Sequence, residues 1–173
     1  MEGGREEDAP APVLLGMRFI AVDLGDKRTG IAVGDLVVRR AMPVKVVEVA
    51  VAERGGVALI ESLVKEVADL VGEREDCTVV VGLPLNMDGT EGPRAKQVRA
   101  FAERLGERLK AGVKGRRELV YQDERLTSAQ ADWDMARSGL THAQKKARRD
   151  ALAAAAMLQD YLDAMGRGEA AGA

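Results

Sequence analysis

Phe19-Ile-Ala-Val-Asp-Leu-Gly-Asp-Lys-Arg-Thr-Gly-Ile-Ala-Val-Gly-Asp35 is two apolar runs joined by a short polar turn. The first run, FIAV, reads as a buried strand, and it ends in a carboxylate, Asp23. The turn DKRTG and a second run, IAV, complete a hairpin with an acid at the end of its first strand. Such an acid lies between the core and whatever sits above the sheet. Its desolvation is costly unless a cation or hydrogen-bond donors meet it. Asp23 either bonds the amides of its own turn or belongs to a metal or phosphate site, and the rest of the chain decides.

Outward from this hairpin the chain alternates. Strand 1 is expected at about Arg18–Asp23, strand 2 at Gly30–Asp35 and strand 3 at Val44–Val49, with Pro43 at its entry. Val57, Ile60, Val64, Val67 and Val71 recur at helical spacing, so 55–71 is an amphipathic helix. Thr78–Leu83 is a strand buried on both faces. A helix follows from Pro93, with Val98, Phe101, Leu105 and Leu109 as its buried stripe. The fifth strand is Glu118–Gln122. Thr127 with Gln130, and Thr141 with Gln144, match two capping boxes and open two further helices. The last helix runs to about Met165 and buries Ala151, Ala154, Ala155, Leu158 and Leu162.

The order β-β-β-α-β-α-β-α-α predicts an α/β fold, a mixed five-stranded sheet with helices on both faces. Strands 1 and 5 are expected to be parallel neighbours near its centre. Residues 17–165 form one domain, between a disordered tail at 1–16 rich in Gly, Pro, Ala and acid and another at 166–173.

Composition narrows the chemistry. One cysteine, Cys77, excludes an internal disulfide and a cysteine-based zinc site, and one histidine, His142, argues against histidine-dependent catalysis. The net charge of −2 gives no global nucleic-acid signature, so local basic clusters must carry any such binding. No run is apolar enough to span a membrane, and the N-terminus lacks the core of a signal peptide, so a cytoplasmic protein is expected.

Carboxylates are therefore the candidate acid–base groups and metal ligands. Asp23 ends strand 1, Asp123 and Glu124 end strand 5, and Asp150 lies on the last helix. Acids clustered without histidine suit Mg²⁺ or Mn²⁺, which take oxygen ligands. Two such ions roughly 4 Å apart support in-line hydrolysis of a phosphodiester. Asp150 shares a helix face with Ala154 and Met157 or Leu158, and the alternative for it is an exposed pair with Lys146. The basic residues Lys145, Lys146, Arg148 and Arg149 are either a solvated face or a seat for the phosphates of a polyanion. Lys27 and Arg28 in the hairpin turn, Asn86 and Gly89 in the loop 82–93, and Arg125 complete the candidate substrate contacts. That loop leads into a helix N-terminus, which can receive a phosphate or be a plain connection.

Four blocks, VDLGDKRTGIAVGD, VVGLPLNMDGTEGPRAKQVRAFAERL, YQDERLTSAQAD and KKARRDALAAAAMLQDYL, resemble the YqgF/RuvX family of Holliday junction resolvase-like nucleases. They span about residues 18–163. The resemblance implies a ribonuclease H-like fold, with Asp23, an acid of the DER block and Asp150 converging on metal. Glu124 is the favoured acid of that block and Asp123 the runner-up, because Asp123 shares a strand face with Leu119 and Tyr121 whereas Glu124 shares one with Gln122. The family's association with maturation of the 5′ end of pre-16S ribosomal RNA makes pre-rRNA the favoured substrate, with branched DNA as the alternative. A resolvase cuts two strands symmetrically and needs a dimer. The sequence offers no obvious dimer helix, so a monomer or weak homodimer is expected. Two rivals are an actin-like kinase, for which the chain lacks a second phosphate hairpin, and a non-catalytic RNA- or ribosome-binding factor.

Overall fold

The computed structural model describes residues 17–71, 76–112, 115–126 and 141–168. Strands β1 (Arg18–Leu24), β2 (Thr29–Asp35) and β3 (Arg40–Val47) form an antiparallel meander. A 3-10 turn, Glu53–Gly56, leads into helix α1 (Val57–Val71), then β4 (Cys77–Leu83), α2 (Pro93–Gly112) and β5 (Arg117–Asp123). A second 3-10 turn, Glu124–Leu126, follows β5, and α3 (His142–Gly166) is the last described element. The Thr127 capping box, the tail 1–16 and residues 169–173 lie outside the described residues.

The sheet order is β3-β2-β1-β4-β5. This corrects one expectation: β1 and β5 are not neighbours. Strand β4 lies between them, parallel to both. The physical reason is in β4 itself, since all seven residues of CTVVVGL are buried and a strand so uniformly covered belongs at the centre. Strands β3 and β5 are the edges, and their residues are mostly half-buried or exposed. Strand β3 also begins earlier than expected, at Arg40, so Pro43 lies within it, opposite Ala32 and beside a register shift between Ile31 and Ala32. An edge strand with a bulge tolerates the missing N–H.

Alternation along the strands sorts the side chains into two cores. Ile20, Val22, Leu24, Ile31, Val79 and Val81 face α1 and α2. Phe19, Ala21, Ala32 and Val80 face α3. Helix α2 buries the expected Val98, Phe101, Leu105 and Leu109. In α1 the buried stripe is rotated: Leu59 and Leu63 are inside with Ile60, Val67 and Val71, whereas Val57 and Val64 are only half-buried. The leucines reach further into the space between sheet and α2 and hide more apolar area.

Helix α3 starts where its capping box predicts. The Thr141 hydroxyl accepts from the Gln144 N–H at 3.3 Å, and the Gln144 side chain accepts from the Thr141 N–H at 2.9 Å. It buries Ala151, Ala154, Ala155, Leu158 and Leu162 on the sheet. Gln159 ties it to the β2–β3 turn, accepting from the Ala41 N–H at 3.0 Å and donating to the Arg39 carbonyl at 3.1 Å. No helix among the described residues is long and apolar enough to cross a membrane.

Candidate functional site

The C-terminal ends of β1, β4 and β5 open on one rim of the sheet, where parallel α/β sheets hold their ligands. Asp23 lies on this rim, one residue above the Val22–Val81 pair. It follows Phe19 and Ala21 on the face toward α3.

Glycines flank Asp23 on both sides. Gly30 is its partner on β2. A Cβ there would stand 1.9 Å from the Asp150 carbonyl oxygen, so the α3 backbone rests directly on β2. Gly82 is the next β4 residue above Val81. A Cβ there would stand 2.5 Å from Glu124 Oε1 and 2.8 Å from the Met157 sulfur. The Glu124 carboxylate therefore reaches inward over β4 through the space a side chain would fill. This is how an acid beyond an edge strand approaches Asp23 although β1 and β5 do not touch.

The electrostatics agree with that crowding. Burial, then the Asp150 charge, pushes the Asp23 carboxyl up to about 6, against a smaller pull downward from Arg94. Burial, then Asp23, pushes Glu124 up to about 7, with Arg94 again opposing. Asp150 has its own cation, with Arg28 Nε 3.0 Å from Oδ2. Among the described residues no three acid, histidine or cysteine side chains are already drawn together as an ion cage. The donor set still fits a hard cation: every candidate ligand is a carboxylate oxygen, and burial, aided by a neighbouring acid, raises two of them above the usual carboxylate range.

Asp123 points the other way and does something different. Its carboxylate accepts from Arg125 Nε at 3.0 Å, from Nη2 at 2.6 Å and from the Arg125 N–H at 2.9 Å, which holds it below the usual carboxylate range. Arg125 then donates through Nη1 to the carbonyls of Asn86 and Met87, at 3.1 and 3.0 Å. The guanidinium thus fastens the β4–α2 loop to the end of β5. Within that loop Asp88 accepts from the Thr90 N–H and hydroxyl, Asn86 donates to the Thr90 hydroxyl, and Gly89 turns the chain at φ +85°. Glu91 pairs with Arg99, whose guanidinium lies 4.3 Å from the centre of the Tyr121 ring.

The structure thus brings Asp23, Glu124, Asp150 and Arg28 to one rim and sets Asn86, Gly89 and Arg125 in the adjoining loop. Lys27 stands exposed at the hairpin turn, and Arg148 and Arg149 are exposed on α3 beside Asp150. The side chains of Lys145 and Lys146 lie outside the described residues. Sequence reasoning missed Arg94, which donates to the Leu24 carbonyl at 2.9 Å and to Asp26 at 2.6 Å and is the cation felt by both Asp23 and Glu124. The signal was available: a cation directly after Pro93 at a helix N-terminus opposes the helix dipole and calls for acids nearby. It also missed Gly30 and Gly82 as the openings for Asp150 and Glu124.

Comparison with known proteins agrees with this architecture. The RuvX family, described as Holliday junction resolvase, matches residues 17–164. A relative in Chloroflexus aurantiacus, titled "Putative pre-16S rRNA nuclease", is 39% identical over 146 residues, 84% of this chain and 86% of its own. One in Anaeromyxobacter dehalogenans with the same title is 42% identical over 147 residues, 85% of this chain and 97% of its own. Among solved structures, Thermus thermophilus RuvC in complex with a Holliday junction substrate superposes with a TM-score of 0.52 at 18% identity, over 88% of this chain and 97% of that one. That likeness gives the mixed five-stranded, ribonuclease H-like fold. From profile and relatives together, this chain belongs to the RuvX family.

Proposed function

We propose that this protein is a divalent-metal-dependent nuclease that hydrolyses phosphodiester bonds in precursor ribosomal RNA, at the 5′ end of the pre-16S species. The observation that supports the mechanism is the approach of three carboxylates from three separate elements to one rim, with Asp23 raised to about 6 by burial and Asp150, and Glu124 raised to about 7 by burial and Asp23. The substrate class rests on the relatives, which are named as pre-16S rRNA nucleases. Asp23, Glu124 and Asp150 are the ligands for a pair of Mg²⁺ or Mn²⁺ ions, and Asp123 is held in the structural pair with Arg125. When bound, such ions lower the pKa of an attacking water and stabilise the leaving oxygen. The protein's own groups hold the rest of the reaction in place. Arg94, anchored on Leu24 and Asp26, offsets the carboxylate charge from the loop side. Lys27, Arg148 and Arg149 stand where the phosphate backbone of a polyanion would pass. The loop around Asn86 and Gly89, fastened by Arg125, borders the strand to be cut.

Cleavage of branched DNA is the second reading, favoured by the family description and by the RuvC–junction likeness. It needs two sites and hence a dimer, whereas the RNA reading works with a monomer. The test incubates full-length protein with pre-16S RNA and with a four-way DNA junction, each with Mg²⁺, with Mn²⁺ or with chelator. Metal-dependent cleavage of the RNA alone is expected, reduced more than about a hundredfold in Asp23→Asn and Asp150→Asn. Cleavage of the junction alone makes the DNA reading correct. Cleavage of neither leaves a binding factor.

A further inference from the structure

Arg28 sits between two acids that belong to different parts of the fold. Its Nε is 3.0 Å from Asp150 Oδ2 and 3.8 Å from Glu48 Oε1. All three backbone positions are fixed. The Arg28 carbonyl accepts from the Gly25 N–H at 3.0 Å, closing a turn so tight that a Cβ on Gly25 would stand 2.4 Å from that oxygen. The Asp26 carbonyl accepts from the Val51 N–H at 2.9 Å, which ties the segment carrying Glu48 to the same turn. Asp150 is set by the contact of its backbone with Gly30. With the backbone set, the guanidinium can shift between the two acids by side-chain rotation.

The two seats are unequal. The Asp150 side chain is 31% exposed and that of Glu48 is 74% exposed, so the pair with Asp150 is the less screened and the stronger. A divalent ion arriving at Asp23 and Asp150 reverses the preference, because it claims the same carboxylate and repels the guanidinium. Glu48 is close enough to take the displaced charge by a side-chain rotation alone. We propose that Arg28 is a positioning residue that holds Asp150 in the metal-free protein and moves to Glu48 when a divalent cation binds. The inference rests on Asp150 being a metal ligand, as proposed above. Arg28 offsets the Asp150 charge and shapes the site before loading, and Glu48 lowers the cost of giving Asp150 up.

The test measures Mn²⁺ binding by calorimetry on the full chain, without substrate, in wild type, Arg28→Ala, Arg28→Lys, Glu48→Gln and the Arg28→Ala/Glu48→Gln double variant. Arg28→Ala should bind Mn²⁺ about fivefold more tightly, the worth of one partly exposed ion pair. Its metal-free melting temperature should fall by about 2–4 °C, and Arg28→Lys should restore both values toward wild type. Glu48→Gln should weaken Mn²⁺ binding about two- to threefold in wild type and leave it unchanged once Arg28 is gone. A passive surface pair would not give that dependence. An Arg28→Ala protein with wild-type Mn²⁺ affinity overturns the inference and leaves the metal site standing. So does a Glu48→Gln effect of equal size with and without Arg28. A wild-type protein that binds no Mn²⁺ overturns the metal site and this inference together.

Discussion

The two faces of the sheet are built to different rules. Toward α1 and α2 the contacts are large aliphatic side chains, with Ile20, Val22, Ile31, Val79 and Val81 meeting Leu59, Leu63, Leu105 and Leu109. Toward α3 the strands mix Phe19 and Val80 with Ala21, Gly30, Ala32, Gly34 and Gly82, and the helix answers with Ala151, Ala154 and Ala155 near the rim and with Met157, Leu158 and Leu162 further along. The first face is packed throughout by large aliphatic side chains, whose burial stabilises by roughly 1.5–3 kcal/mol each. The second gives up area for closeness. Backbone meets backbone at Gly30, so Asp150 is located by main-chain atoms rather than by a chain of rotamers. Both faces hold the protein together, and the second also sets the distances at the rim.

The largest test of this contrast is Gly30→Ala. The new Cβ would fall 1.9 Å from a backbone oxygen that cannot rotate away, so α3 must leave the sheet. Urea denaturation should show a loss above about 3 kcal/mol, and cleavage should vanish. Next is Leu105→Ala on the opposite face, where a fully buried leucine is removed. A loss of about 2–4 kcal/mol is expected, with cleavage per folded molecule unchanged. If activity falls in step with stability there, the division of labour between the faces is wrong.

The third test uses pH. In metal-free protein the Asp23 carboxyl is raised from 3.8 to about 6, so the folded state binds its proton more tightly than the unfolded chain does. Stability from this group is therefore greatest below pH 4 and falls as pH rises toward 6, by at most about 3 kcal/mol. Glu124, raised from 4.5 to about 7, acts in the same direction over a slightly higher window and less strongly, being better screened by solvent. Asp23→Asn should flatten the slope between pH 4 and 7 in chelator and leave the variant more stable than wild type at pH 7. An unchanged slope would remove the case for a self-repelling cluster.

The smallest effects come from a pair of glycines. Gly82→Ala meets only the movable ends of Glu124 and Met157, so it should cost about 1 kcal/mol, yet it displaces the Glu124 carboxylate and should cut activity well beyond that loss. Gly106→Ala, inside α2, meets Leu119 at an ordinary 3.6 Å and should stabilise by about 0.5–1 kcal/mol through helix propensity, with activity untouched.

Much of this was legible in the chain. The FIAV strand, the α2 stripe from Val98 to Leu109 and the Thr141–Gln144 capping box all stand where periodicity and capping chemistry place them. What sequence could not supply was the rank of strands within the sheet. The run at 77–83 announces burial, but burial on both faces says central without saying between which partners, so β1 and β5 were paired when β4 separates them. The acids were visible because each ends a strand or interrupts an apolar helix face. Arg94 was not, because a basic residue at the start of a charged helix looks like solvated surface until the fold turns it toward Leu24 and Asp26. The opening at Gly82 was equally hidden, since an absent side chain matters only through what occupies its place.

The seating of Asp150 against Gly30 also bears on synthesis. Asp23 leaves the ribosome early, Glu124 late and Asp150 later still, with the α3 helix that covers β1 and β2. A nascent chain ending before α3 has the hairpin but not the helix that completes the rim, and its small-residue face is bare. If the three acids act together as proposed, the chain emerges beside ribosomal RNA as an inert precursor. Asp150 joins the other two acids only when α3 docks on β2 at Gly30.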